Sequence, residues 1–210
     1  MNEALDRLIR KYPELEGCRE DLVRAYELLK ATYERKGKLL LAGNGGSAAD
    51  CEHVVGELMK GFMSKRPLPA AEREKMHSHG KEQGDYLADH LQGALPAISL
   101  VSHSALMTAF INDVAADMVF AQQVYGYGRR EDTLAVFSTS GNSANVVHAV
   151  QVAKSLGMTT IGLTGSGGGR LNSLCDVTVR VPFDSTPDIQ ERHLPIYHTL
   201  CIMLEEAFFG

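Results

Sequence analysis

The chain has 210 residues and a formal net charge of −5, with 44% apolar and 22% charged residues. That length carries one domain with a full core plus a flanking element, and the acidic balance argues against a nucleic-acid binder, which presents a basic face. The four cysteines, Cys18, Cys51, Cys175 and Cys201, are scattered without a CxxC pair, which fits reduced thiols better than a disulfide framework or a cysteine zinc site.

Residues 2–35 place Leu5, Leu8 and Ile9, then Leu22, Ala25, Tyr26, Leu28 and Leu29, at helical spacing. Pro13 and Gly17 break the run, so two helices are expected, the first packing on a partner subunit rather than on its own domain. The opening MNEALDRLIRKYPELEG is charged and amphipathic, unlike a signal peptide. No apolar run approaches the ~20 residues of a membrane span. A cytoplasmic protein without membrane contact is expected.

From Gly37 the texture changes. KLLLAG (38–43), PAISLVS (96–102), TLAVFST (133–139), MTTIGLT (158–164) and DVTVRVP (176–182) are short apolar or β-branched runs, most followed by Gly/Ser/Asn-rich turns and separated by helical patterns. Such runs imply a parallel sheet buried on both faces, with ligands outside the carboxyl ends of its strands. The segment 64–95 departs from this rhythm. It is long, polar and charged, partly helical in AAEREKMH and GDYLADHLQG, and reads as an ordered insertion serving as a lid, a solvated excursion or an oligomer contact. Its histidines, His77, His79 and His90, read as surface residues.

Two loops look suited to an anion. In LLLAGNGGSAADCEHVVGEL a strand leads through Gly43, Gly45 and Gly46 to a helix beginning near Ser47. Glycines let the backbone approach a ligand, and the free N–H groups and positive dipole end of a helix start favour negative charge. Neither the P-loop nor the dinucleotide fingerprint is present, so no nucleotide cofactor is expected. The second loop repeats the plan: strand TLAVFS, turn TSGNS, helix ANVVHAVQVAKSLG. The hydroxyls of Ser138, Thr139, Ser140 and Ser143 can donate to phosphate oxygens. Ser143 reads equally as a helix cap and its neighbours as turn residues, but two such loops together favour an anion site.

These stretches resemble the sugar isomerase (SIS) domain family, and within it the phosphoheptose isomerase branch. The resemblance rests on GNGGSAAD with His53 and Glu57, on Asn112-Asp113, STSGNS (138–143), LTGSGGG (163–169), RVP (180–182) and IQE (189–191), and on the Gln190/His198 spacing. It runs from about residue 37 to the C-terminus. It implies an α/β, three-layer αβα fold with a five-stranded parallel sheet over 37–210, preceded by a helical segment (1–36) and carrying the insertion at about 64–95. The implied assembly is a homotetramer with sites between subunits, and the implied reaction is isomerisation of sedoheptulose 7-phosphate to D-glycero-D-manno-heptose 7-phosphate. Positions matching Ser47, Ser138, Ser140 and Ser143 hold phosphate in that family, and those matching Asn44, Gly45, Gly46, Asn112, Asp113 and Thr139 line the sugar. Glu57 would be the base and His198 the acid. Some members bind zinc through the positions of His53, Glu57, Gln190 and His198, which implies up to one zinc ion per subunit.

An aldose–ketose isomerisation passes through an enediol and needs a base beside C1 and C2 and a donor for the carbonyl oxygen. His53 and Glu57, four apart, share one helix face. Taken singly, Glu57 also reads as a solvated glutamate paired with His53, and His198 as a core or interface histidine. Glu57 stands about 15 Å from Ser47 along a helix axis, long for one sugar phosphate unless the other loop holds the phosphate or a neighbouring subunit completes the site. Two departures stand out: the long insertion, and Pro195, which removes a hydrogen bond, kinks a continuous last helix and re-aims His198. The acidic residue usual just before Gln190 is displaced, with Pro187 near its place and Asp188 next, so its role is not carried over. The alternatives are an isomerase of another sugar phosphate and a non-catalytic sugar-phosphate-binding regulator. Regulators of that kind lack the Glu57 and His198 equivalents.

Overall fold

The computed structural model describes residues 3–210, apart from the side chain of His79. In chain order it comprises α1 (Glu3–Lys11), α2 (Arg19–Glu34), β1 (Leu39–Gly43), α3 (Gly46–Met59), α4 (Ala70–Met76), α5 (Lys81–His90), β2 (Ala97–Ser99), α6 (Ser104–Asp113), α7 (Val119–Tyr127), β3 (Thr133–Phe137), α8 (Ala144–Ser155), β4 (Thr159–Thr164), α9 (Leu171–Leu174), β5 (Val177–Arg180) and α10 (Thr186–Phe209). The five strands form one parallel sheet in the order β2-β1-β3-β4-β5, as the sequence led us to expect.

Because side chains alternate along a strand, each buried strand serves two cores. Leu39 and Leu41 of β1 and Phe137 of β3 face a layer built from α1, α2, α3 and α10. Leu40, Ala42, Leu134 and Val136 face α7 and α8 through Phe120, Val124, Val146 and Val150. Central strands buried on both sides read as continuous apolar runs for this reason. The strand order reverses between β1 and β3, and in open α/β sheets that reversal opens a crevice at the carboxyl ends of the two strands. The two anion-type loops leave the sheet there.

One expectation is corrected. Helix α1 does not wait for a partner subunit: Ala4, Leu5, Leu8 and Ile9 are buried in the chain's own core, where α1 packs on α10. A nine-residue helix with this apolar stripe finds its cover within the domain.

The segment 64–95 contains α4 and α5, packed on one another. His77 sits between Glu74 and Asp85, and its hydrogen bond with Asp85 raises its pKa; His90 is exposed. The ends of the excursion meet. Gly61 N–H donates to Gln92 Oε1 (2.6 Å), Gly93 N–H to Arg66 O (2.7 Å) and Leu95 N–H to Leu58 O (2.9 Å).

Candidate active site

Three helix starts converge at the β1/β3 crevice: α3 at Gly46, α8 behind Ser143 and α10 at Thr186. They enclose a cavity of about 320 Å³ lined by Asn44, Gly45, Gly46, Ser47, Phe137, Ser138, Thr139, Ser143, Thr186 and Gln190. None of these side chains carries a charge. Positive potential there comes from the three helix dipole ends, which suffices for an anion. Gly45 has φ +58°, a left-handed conformation that favours glycine. A Cβ at Gly46 would stand 2.6 Å from Gln190 Nε2, so its absence lets α10 close on the loop.

Ser47 and Ser138 are buried at the cavity, and Ser138 Oγ lies 3.2 Å from Ser143 Oγ. The two loops are tied by a reciprocal amide pair, Asn44 Nδ2 to Asn145 Oδ1 at 3.0 Å and Asn145 Nδ2 to Asn44 Oδ1 at 2.9 Å. Neither Asn145 nor Thr186 was singled out from the sequence. Asn145, a polar residue in the first turn of a helix that begins at the phosphate loop, was the available signal. Ser140 is exposed, and its Oγ accepts from Asn142 N–H within the turn. Asp188, next to Pro187, helps start α10: its N–H donates to Ser185 Oγ, and that hydroxyl donates to its carboxylate.

Helices α3 and α10 leave the crevice side by side, Gly46 against Gln190 and, further on, His53 against His198. His53 Nε2 is 3.2 Å from Glu57 Oε1 and 3.3 Å from His198 Nε2. Helix α10 is continuous through Pro195, and His198 still meets the α3 pair. Behind them Tyr197 donates its hydroxyl to Asp50 Oδ1 (3.2 Å) and lies 3.0 Å from His53 Nδ1. Burial, reinforced by His53 and opposed by Glu57, lowers the pKa of His198 and favours a neutral imidazole. Burial raises the pKa of Asp50, against the pull of Tyr197 and His53. Glu57 Oε2 is buried without a hydrogen bond, with Lys60 Nζ 3.9 Å away.

Ligand atoms of His53, Glu57 and His198 lie within 4.8 Å of one another, the buried carboxylate oxygen is unsatisfied, and Tyr197 orients His53 from behind, as outer partners of metal-bound histidines do. This set fits a zinc-sized cation. Gln190 lines the anion cavity, eight residues before His198.

Asn112 and Asp113 are not brought to the cavity. They end α6, exposed, with Asn112 Nδ2 donating to Asp113 Oδ1 at 2.8 Å. Helix α6, SALMTAFIND, is largely apolar yet none of its residues is buried in this chain.

An anion cavity at a sheet reversal, with carboxylate and imidazole on the helices leading from it, defines a sugar-phosphate isomerase type of site. The SIS domain family matches residues 87–165. The chain is 36% identical to phosphoheptose isomerase of Rhodospirillum rubrum, over 97% of this chain and 93% of that one. It is 40% identical to the Helicobacter pylori (strain P12) enzyme, over 92% and 88% respectively. Among solved structures, phosphoheptose isomerase from Neisseria gonorrhoeae superposes with a TM-score of 0.75 at 34% identity, covering 96% of this chain and 94% of that one. The Francisella tularensis phosphoheptose isomerase gives a TM-score of 0.71 at 28% identity, covering 98% and 100%. The chain belongs to the phosphoheptose isomerase family.

Proposed function

We propose that the protein is an aldose–ketose isomerase converting sedoheptulose 7-phosphate to D-glycero-D-manno-heptose 7-phosphate. The observation that carries this reading is the layout of one anion cavity and one carboxylate–imidazole cluster on the same two helices. The phosphate occupies the cradle of Ser47, Ser138, Thr139, Ser140 and Ser143, with Asn44, Gly45, Gly46 and Gln190 beside the sugar. The open chain runs along α3 and α10 toward Glu57. From Ser47 to Glu57 is ten residues, about 15 Å along the axis. Helical side chains lean toward their own N-terminus, and both helices start at the cradle, so Glu57 and His198 reach back toward the phosphate. A long sugar phosphate suits that span.

Glu57 removes the C1 proton of the ketose while His198 gives its Nε2–H to the C2 oxygen, forming the enediol. Protonated Glu57 then returns its proton to C2 while His198 Nε2 takes the O1 proton, which yields the aldose and restores both side chains. The neutral imidazole favoured at His198 serves as a hydrogen-bond donor to the oxygen that gains charge. In a zinc-loaded form His53, Glu57 and His198 would hold the ion in place of the free acid–base pair, and the ion would polarise the substrate oxygens as a Lewis acid.

Exposed Leu106 and Ile111 on α6, and the distance of Asn112 and Asp113 from the cavity, support a homotetramer in which a neighbouring subunit brings these two residues to the sugar. Four free thiols fit a reducing cytoplasm, and among the described residues no helix is long and apolar enough to cross a membrane.

The test is incubation with sedoheptulose 7-phosphate, with and without zinc, followed by phosphorus NMR. Turnover of other phosphorylated ketoses but not of this one would overturn the heptose assignment. Binding without any turnover would favour a regulatory protein.

A further inference from the structure

Glu57 sits in the last turn of α3, which ends at Met59, with Lys60 already extended. Helix ends fray because their last carbonyls lack intrahelical partners, so a base placed there needs support from outside the helix. The support here is a fully buried arginine. Arg66 Nη2 donates to Glu57 O at 3.0 Å and Nη1 to Leu58 O at 2.7 Å, while Nε donates to Glu205 Oε1 at 2.8 Å. The Glu205 carboxylate also accepts from the N–H groups of Phe62, Met63 and Ser64 at 2.8, 2.8 and 3.1 Å, and the Phe209 ring lies under the guanidinium, 4.6 Å from Cζ. These bonds tie the turn carrying Glu57 and the segment leaving it to Glu205 on α10.

A buried ion pair is weak evidence for stability, since apolar replacements of similar volume often serve as well. A planar guanidinium gives something an apolar group cannot: parallel N–H donors for two successive carbonyls and a positive charge at a helix C-terminus. We infer that Arg66, seated on Glu205, is a positioning residue that fixes the Glu57 carboxylate for proton transfer. It does so from the stem of the 64–95 excursion, whose returning segment bonds the same Leu58 carbonyl through Leu95. This rests on Glu57 being the base of the isomerase proposed above. A displacement of about 1 Å at a reacting group costs on the order of 10²-fold in rate.

The experiment compares wild type, Glu57→Gln, Arg66→Lys and Glu205→Gln with sedoheptulose 7-phosphate, well below each melting midpoint, and reads amide hydrogen exchange at residues 57–60. Lysine keeps the charge opposite Glu205 but cannot cap both carbonyls. Arg66→Lys is expected to lower kcat about 10- to 100-fold, leave KM within about threefold, and speed exchange at 57–60. Glu205→Gln, which keeps an acceptor for Arg66, shows the same pattern more weakly and stands in should Arg66→Lys not fold. Wild-type kcat and unchanged exchange in both variants, with Glu57→Gln inactive, overturn the positioning role alone. An active Glu57→Gln overturns it together with the assignment of the base.

Discussion

The anion cradle and the acid–base cluster sit on the same helices but are built by opposite means. The cradle is assembled from loop backbone, hydroxyls and amides, and its lining holds no titratable side chain. The cluster is made of titratable groups on helix faces, held by Tyr197 and Asp50 behind His53 and by His198 across from it. Binding a constant anion needs only fixed dipoles, whereas moving a proton needs groups that gain and lose one near neutral pH. On the function proposed above, the difference implies that affinity and turnover are separable in this molecule.

The largest expected effect tests that separation. Glu57→Gln should lower kcat by about 10²–10⁴ while phosphate-analogue affinity, measured by calorimetry, stays within about twofold; loss of both together would mean the two regions are one unit. Ser138→Ala and Ser143→Ala should do the reverse, each raising KM about tenfold with kcat little changed, the cost of one hydrogen bond to a charged oxygen. A third check uses pH. Sulfate binding should be flat across the mildly acidic to neutral range, since no cradle side chain titrates. Turnover should hold until the pH falls below the ordinary range of histidine and then drop, because His198 has a lowered pKa and loses its neutral form only on further acidification. A fall in sulfate affinity tracking the fall in turnover would refute the contrast. The smallest effect is on the bridge between the loops: Asn145→Ala should raise KM a few-fold, with crystal or NMR data showing Asn44 released.

Stability has its own pH signature away from the site. His193 is fully buried, and burial, partly offset by its bond to Thr164 O, lowers its pKa from 6.5 to about 4. The unfolded chain therefore binds the proton first as pH falls. The stability this residue contributes is complete above 6.5 and is lost between 6.5 and about 4. Denaturant midpoints measured down that range should fall less steeply in His193→Leu than in wild type.

Much of this was legible in the sequence because the signals were local. Runs such as LLLAG and TLAVF marked strands buried on both faces, and the glycine and serine turns after them marked the crevice. The four-residue spacing of His53 and Glu57 put them on one helix face, and only the family resemblance suggested a role for them. What escaped was tertiary. Asn145 matters through Asn44, 101 positions away, Tyr197 through Asp50 and His53, and Arg66 through Glu205, 139 positions away. None has a spacing that announces its partner. The destination of α1 was misread for the same reason: its apolar stripe was visible, but the α10 face that covers it was not.

The parallel run of α3 and α10 has a consequence for selectivity. On the function proposed above, both helices start at the grip on the phosphate and carry the reactive groups a fixed number of residues later, so backbone rise would set the distance from anchor to reaction. The pair works as a ruler graduated in helical turns of about 5.4 Å. A shorter sugar phosphate held by the same anchor would present its carbonyl short of the mark, so the protein can reject it by reach without any clash to exclude it.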